Sequence, residues 1–523
     1  MRRQGRSGSH FGPAQEGRRV VPVSATLALL AGVLLAASFP KFGLPTFAWG
    51  AVAPLFVAVA LRATAPVYTP WSTFRLGLMT GWVYFSCTLY WTVGVMTTYG
   101  GLAMPVAVIA AGLLVGYLSL YIGAVAVLLG ASVRRFGVSG VWLGPVFWVA
   151  AEWARGWIGG GFPWVPLGSS QGSVLPIAQL ASVTGVYGVS FLVALVSTAA
   201  AVLGLSRKPR QLVAVVGVAA VLAVVTVGGM LRLADNRLAE SGRVLRVGLI
   251  QGNVEQDQKW DPRFRDAIVS RYLTLSREAI LSGAQLVVWP EASTPFFIDR
   301  DSALAEPIRK LAEQTRTPFV IGTDEFDGTN IFNSASVIGA DGRGRGGYRK
   351  MHLVPFGEYV PLKKLLFFVG PLVEAVSDFA PGTEASVLDV GDGMRASVAI
   401  CYESTYPSLA RAFAQGGAQL LLVITNDAWF GTSSAAYQHF QMGAMRAIEN
   451  GRYLARAANT GITAVVDPYG RVVKQAGMFE PLGLTADVRL LDSRTIYTRT
   501  GDLMAWLCAA LTACVAVVLR RRA

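Results

Sequence analysis

The run Ser397-Val398-Ala399-Ile400-Cys401-Tyr402-Glu403 carries an apolar strand into a thiol and an acid. Its counterpart, Leu286-Val287-Val288-Trp289-Pro290-Glu291, drives a carboxyl group out of a second hydrophobic strand at its C-terminal edge. Working outward, short β-branched runs at 244–251, 319–323, 335–338, 420–425 and 461–466 read as further buried strands. Helical patterns at 263–282, 301–315, 408–415 and 437–450 alternate with them. This alternation predicts a layered α/β domain, and the carboxyl ends of sheet strands are where such domains build their sites.

The 523-residue chain is unlike a simple soluble enzyme on either side of that domain. Hydrophobic residues make up 53% and charged residues 15%, against roughly 25% charged in a typical soluble chain. A bilayer core needs about 20 apolar residues per helix. Spans are expected near 22–38, 44–61, 76–96, 103–130, 138–155, 174–204 and 211–231, with an eighth at 503–519. The division is therefore a basic tail (1–19), a seven-span membrane domain (20–232), an α/β domain (233–500) and a last helix with a basic end (501–523).

The net charge of +14 is lopsided. Residues 1–232 hold two acidic side chains, Glu16 and Glu152, against fifteen basic ones. The rest is nearly neutral, which argues against a nucleic-acid surface, since phosphate binding needs clustered Lys and Arg on the binding face. The basic residues instead fall in alternate loops: Arg2 to Arg19, Arg62 and Arg75, Arg134 and Arg135, and Arg207 to Arg210. By the positive-inside bias these loops and Arg520 to Arg522 are cytoplasmic, so the α/β domain is expected outside. A cleaved signal peptide ending near Ala36-Ala37-Ser38 is the alternative at the N-terminus, but further spans with consistent loop charges follow.

Of four cysteines, Cys87, Cys508 and Cys514 lie in apolar spans, where a small hydrophobe is the default reading. Cys401 is alone in the outer domain, with no disulfide partner there. The three histidines, His10, His352 and His439, are too few and too scattered for a zinc site, and no CxxC pair replaces them, so no metal is expected. A thiol needs a base to become a nucleophile, and the oxyanion it creates needs a donor or cation. Glu291, Cys401 and the cation in Tyr348-Arg349-Lys350 supply those three roles.

Each of these alone has a bland reading: a helix cap, a solvated lysine, a core cysteine. Together they resemble the nitrilase superfamily, whose Glu-Lys-Cys triad runs in that order; here the spacings are 59 and 51 residues. Phe332-Asn333-Ser334-Ala335, Gln251-Gly252-Asn253 with Lys259-Trp260-Asp261, the Val354 to Pro361 loop, and Asn426-Asp427-Ala428-Trp429-Phe430-Gly431 are similar to it as well. With the spans, the chain is similar to the membrane-embedded acyltransferases that finish bacterial lipoprotein maturation. The resemblance implies an α-β-β-α sandwich, Cys401 as nucleophile, Glu291 as general base and acid, and Lys350 at the oxyanion. Glu358 would be a supporting acid, with Tyr402 and Glu403 shaping the nucleophile's loop. It implies a phospholipid acyl donor, a diacylglyceryl-apolipoprotein acceptor, no cofactor, and residence in the bacterial inner membrane with the catalytic domain on the periplasmic face.

The uncharged segment Gly159 to Gly168 is either an interfacial loop with Trp anchors or the floor of a lipid-entry groove beneath the triad. Trp164, Trp260 and Trp429 are candidates for acyl contact, with core packing as the alternative. His352 and His439 read as structural. Two other functions compete: a membrane-anchored amidase or nitrile hydrolase using the same triad with water, and a transporter or receptor with an inactive domain. Eight spans exceed what a hydrolase needs for anchoring. Transport paths usually need ionisable residues within the spans, and Glu152 and Arg155 are the nearest candidates.

Overall fold

The computed structural model describes residues 13–355, 357–359 and 379–521, with side chains from Pro22 onward. Most of the basic tail, and Phe356, Val360 and Pro361 of the proline-bounded loop, lie outside the described residues.

The apolar runs are helical. They form α1 (Pro13–Ala37), α2 (Pro45–Ala51), α3 (Ala53–Ala63), α4 (Pro70–Leu89), α5 (Trp91–Thr98), α6 (Met104–Phe136), α7 (Gly144–Arg155), α8 (Ala181–Leu205) and α9 (Pro209–Asp235), with a C-terminal helix at Leu503–Arg520. Among the described residues, five helical stretches are long and apolar enough to cross a membrane: Pro45–Ala63, Met104–Arg155, Ala181–Leu205, Pro209–Glu240 and Leu503–Arg520; Pro22–Ala37 is a shorter apolar helix.

Three expected spans differ in detail. The run at 138–155 begins as a 3-10 turn, Gly137–Leu143, and α7 has only 12 residues. At 1.5 Å per residue that is about 18 Å, short of the ~30 Å core by itself. The run at 76–96 starts earlier, at Pro70, where the Thr69 side chain caps the Ser72 amide, and it breaks at Tyr90. The run at 174–204 opens with a separate turn, Leu175–Ala178, and α8 is interrupted at Gly185.

Small residues let α4 and α6 pack closely. A Cβ on Gly77 of α4 would come within 2.4 Å of the Ile122 carbonyl of α6, and one on Gly81 within 2.8 Å of Ser119. Such close approach supplies the packing that apolar lipid cannot drive by the hydrophobic effect. On α9, Val213, Val216, Val224 and Leu231 are exposed, as suits a surface covered by acyl chains.

The strands of the α/β domain are β1 (Arg243–Gln251), β2 (Leu286–Val288), β3 (Phe319–Phe326), β4 (Ile331–Ile338), β5 (Gly344–Arg349), β6 (Leu388–Gly391), β7 (Met394–Ile400), β8 (Leu420–Thr425), β9 (Leu454–Ala458), β10 (Ala464–Val466), β11 (Val472–Gln475) and β12 (Leu482–Leu490). Among the described residues they form two six-stranded sheets, ordered β12-β1-β2-β3-β4-β5 and β11-β10-β9-β8-β7-β6. Strands β1 and β2 run parallel, as do β7, β8 and β9. Alternation along the strands makes two cores. Val247, Leu249 and Val288 join Val398, Ile400 and Leu422 in one buried cluster, while Ile250, Val287 and Trp289 join α10 (Arg265–Leu281) and α11 (Ser302–Thr315) in the other. On the second sheet's side lie α12 (Pro407–Gln415) and α13 (Ala435–Asn450). Residues of the central strands thus face alternately the opposite sheet and a covering helix.

Candidate active site

The strand ends converge. Pro290 stops β2 and leaves Glu291 beyond its edge, Lys350 follows the last residue of β5, and Cys401 follows β7. Cys401 adopts φ +52°, a left-handed conformation uncommon for a residue with a side chain. That turn between β7 and the 3-10 segment Cys401–Thr405 is the local strain the site maintains.

Lys350 Nζ donates to Glu291 Oε1 at 3.1 Å and to Glu358 Oε1 at 2.8 Å. Asn333 Nδ2, from β4, lies 2.7 Å from each of the same two oxygens. The second oxygen of Glu291 accepts the Asn426 amide at 2.8 Å, across from the other sheet. Glu358 Oε2 accepts the Val354 amide at 2.8 Å. All three triad residues are buried.

Electrostatics fixes the resting protonation. Burial pushes the Glu291 carboxyl up, but Lys350, Asn333 and Lys259 outweigh it and hold it below its ordinary range. Burial also pulls on the Lys350 ammonium, and the two carboxylates override it, so the lysine stays charged. The Cys401 thiol is pushed well up, by burial first and by the Glu291 charge second, with Lys350 opposing. The resting pair is therefore a neutral thiol beside an ionised carboxylate, the arrangement general-base activation requires.

Glu403 accepts from Tyr348 Oη at 2.7 Å, from the Met351 and His352 amides at 2.7 and 3.1 Å, and, through its other oxygen, from the Ile400 amide at 2.8 Å. It thereby ties the Lys350 segment to the strand that ends at Cys401; burial pushes its carboxyl up to about 7. Tyr402 is buried and points toward the membrane helices, its hydroxyl donating to the Gly161 carbonyl at 3.3 Å. Trp164 is buried too: its Nε1 donates to Gln438 at 2.8 Å and its ring stacks near Tyr402. Trp260 is exposed, and Trp429 meets Tyr99 edge-to-face at 4.9 Å.

Several residues at the site had no role assigned from sequence. Lys259 is buried, donates to the Glu291 carbonyl at 3.1 Å, and is driven down to about 8 by burial. Asn333 and Asn426 hold the two oxygens of the Glu291 carboxylate. Behind Cys401 a buried cluster joins His439, Asp427 and Arg456. Ligand atoms of Cys401, Asp427 and His439 lie within 4.8 Å of one another. Arg456 occupies the same space, 2.7 Å from Asp427 Oδ2 and 3.0 Å from His439 Nδ1, so a metal cation would have to displace a guanidinium. The signals for these residues were polar side chains inside apolar strands, Asn333 in Ile331–Ile338 and Arg456 in Leu454–Ala458.

The profile of the carbon-nitrogen hydrolase family matches residues 246–497, and that of the apolipoprotein N-acyltransferase N-terminal domain matches residues 31–199. The chain is 42% identical over 506 residues to the apolipoprotein N-acyltransferase of Geobacter metallireducens, covering 95% of both. It is 35% identical over 493 residues to that of Methylococcus capsulatus, covering 93% of this chain and 94% of the relative. Among solved structures, an amidase of the nitrilase superfamily from Nesterenkonia aligns with 51% of this chain and 97% of its own, at 23% identity and a TM-score of 0.39.

Proposed function

The chain belongs to the apolipoprotein N-acyltransferase family, an enzyme family of lipoprotein N-acylation, and from that premise we propose how its triad, its donor lipid and its membrane placement serve the transfer. The hydrolytic alternative is not favoured, because relatives matched over nearly the whole chain carry the acyltransferase name.

In the first half-reaction Glu291 takes the thiol proton as Cys401 attacks an ester carbonyl of a phospholipid. Lys350 stabilises the tetrahedral oxyanion. The C–O bond breaks, Glu291 returns the proton to the leaving alkoxide, and a lysophospholipid departs from a thioester. In the second, the neutral α-amine of an S-diacylglyceryl-cysteine attacks that thioester. Glu291 accepts the amine proton and passes it to the departing thiolate, leaving an amide. Both substrates are lipids of one leaflet, which is the reason for a tethered catalytic domain.

Eight crossings, a cytoplasmic N-terminus and a catalytic domain on the periplasmic face of the bacterial inner membrane complete the reading; the alternating basic loops support it. The observation that carries the mechanism is a left-handed Cys401 beside the Lys350-bridged Glu291 and Glu358. Mass spectrometry of the Cys401 peptide after incubation of the full chain with vesicles of one defined phospholipid tests it. A thioester-bound acyl chain is expected, lost on adding a diacylglyceryl-cysteine peptide. Peptide acylation with no acyl-enzyme at any time would overturn it.

A further inference from the structure

The carbonyl oxygen of Cys401 is unusually well held. His439 Nε2 lies 2.9 Å from it and Ser404 Oγ 3.0 Å. A carbonyl only accepts, so Nε2 carries the proton, which it shares with Ser404 Oγ at 2.9 Å. His439 Nδ1 lies between a donor and an acceptor, 3.0 Å from the Arg456 guanidinium and 3.1 Å from Asp427 Oδ1. Arg456 is fixed in turn by Asp427 at 2.7 Å and by the Ile462 carbonyl at 3.1 Å, and Asp427 takes the Thr425 hydroxyl at 2.9 Å. This is a closed, buried chain from the end of β8 to the nucleophile's backbone, and the mechanism above gives none of its members a step.

The other side of the imidazole belongs to the membrane domain. Trp164 stacks on His439 with ring centroids 5.7 Å apart. The preceding helix residue, Gln438, accepts from Trp164 Nε1 and donates to the Pro40 carbonyl at 2.9 Å. One turn further along α13, Met442 Sδ lies 3.1 Å from the Val165 amide. The same helix face that touches the bundle thus holds the nucleophile.

We propose that His439 is a positioning residue: its Nε2–H fixes the Cys401 carbonyl, and with it the left-handed turn that aims the thiol at Glu291 and Lys350, while Trp164 of the membrane domain and Arg456 of the catalytic domain hold the ring from two sides. The turn is where such a clamp matters, because a φ of +52° is disfavoured for cysteine and relaxes unless its neighbours over-determine it. A thiol displaced by about 1 Å costs on the order of 10²-fold in rate. The proposal rests on the Cys401 nucleophile assigned above.

Three substitutions in the full-length protein separate positioning from packing. His439→Gln places an amide N–H near the site of Nε2; His439→Asn places one near Nδ1 and cannot reach the Cys401 carbonyl; His439→Phe keeps the stack on Trp164 and has no donor. Two rates are read for each: alkylation of Cys401 by iodoacetamide, which needs no lipid, and thioester formation from vesicles of one phospholipid. The Gln variant is expected to stay within about tenfold of the parent in both, with Asn and Phe slower by roughly 10²-fold. If Phe matches or exceeds Gln, the ring acts by packing and the proposal fails; if Asn matches Gln, the contact to the Cys401 carbonyl is not what matters. Should Phe not accumulate, the Asn and Gln pair decides alone. A parent that is alkylated but forms no thioester would refute the acyl-transfer mechanism, and the order of alkylation rates would still judge His439.

Discussion

Lys350 lies closer to Glu358, at 2.8 Å, than to Glu291, at 3.1 Å. In the proposed mechanism Glu291 takes up the thiol proton and so loses its charge and its hold on the ammonium. Glu358 keeps Lys350 in place at that moment, which is when the oxyanion forms. Glu358→Gln should therefore leave the base intact yet slow both half-reactions, by on the order of 10²-fold if the ammonium drifts by about 1 Å. Single-turnover rates of thioester formation and of aminolysis check this. A variant slowed in only one of them would separate Glu358 from Lys350.

The base and the cation should part in their pH behaviour. Glu291→Gln keeps the volume and removes proton acceptance, so acylation of Cys401 should fall by roughly two to four orders of magnitude. Raising the pH should partly restore it, because a thiol that burial holds high ionises in more alkaline solution. Lys350→Met should lose about 2.7 to 4 kcal/mol of transition-state stabilisation if it acts as one oxyanion donor, and no pH restores a missing cation. It also leaves Glu291 and Glu358 facing each other without the ammonium, so its folding must be checked by thermal unfolding before its rates are read. Rescue by pH in Lys350→Met but not in Glu291→Gln would reverse the two roles.

How far the sequence alone reaches depends on which residues carry the signal. Glu291 and Cys401 were legible as a pair, because each ends a strongly apolar run and either alone reads equally well as a cap or a core residue. The segment Gly344–Arg349 was not legible as a strand: it is glycine-rich, and its pairing is imposed by β4. Leu482–Leu490, by contrast, alternates strictly, with Leu484, Ala486, Val488 and Leu490 against Thr485, Asp487 and Arg489, so its strand signal was present though unread, and it pairs antiparallel along all of β1. The Asp427–His439–Arg456 cluster joins three elements that no local periodicity connects. Arg456 stands out as a charge inside an apolar strand, but Asp427 and His439 look like ordinary loop and helix residues until β8, β9 and α13 are brought together.

Cysteine substitutions test the nucleophile against the bystanders. Cys401→Ala should abolish the acyl-enzyme, since no other group at the turn can form a thioester, and Cys401→Ser should keep at most a trace, a hydroxyl being far harder to deprotonate. Cys87 and Cys514 are exposed on the apolar helices and Cys508 is buried there. Alanine at each should cost packing only, visible as a small shift in unfolding temperature with acylation unchanged. Full amine acylation by Cys401→Ala would end the covalent mechanism.

Topology has its own test. Asp341 and Gly342 form the turn between β4 and β5 on the catalytic domain, while Arg210 lies in the first turn of α9. A reporter inserted at 341–342 should act as extracytoplasmic and one fused after Arg210 as cytoplasmic. The same sidedness for both would break the eight-crossing arrangement.

Lys259 yields the prediction most specific to the structure. Burial lowers it from 10.5 to about 8 in the folded protein, despite the attraction of Glu291 and Asp324. Between about pH 8 and about pH 10.5 the unfolded chain therefore holds a proton that the native state has released. Stability rises with pH wherever the unfolded state binds more protons, so this one lysine should add up to about 3 kcal/mol across that window. Lys259→Met removes the titration and also the donor to the Glu291 carbonyl, a loss that does not vary with pH. Thermal unfolding of parent and variant, side by side in the same detergent, isolates the lysine because every other group titrates in both. The parent should gain on the variant as the pH climbs from about 8 to about 10.5, and parallel profiles over that range would mean that Lys259 is not held as a buried, weakened base.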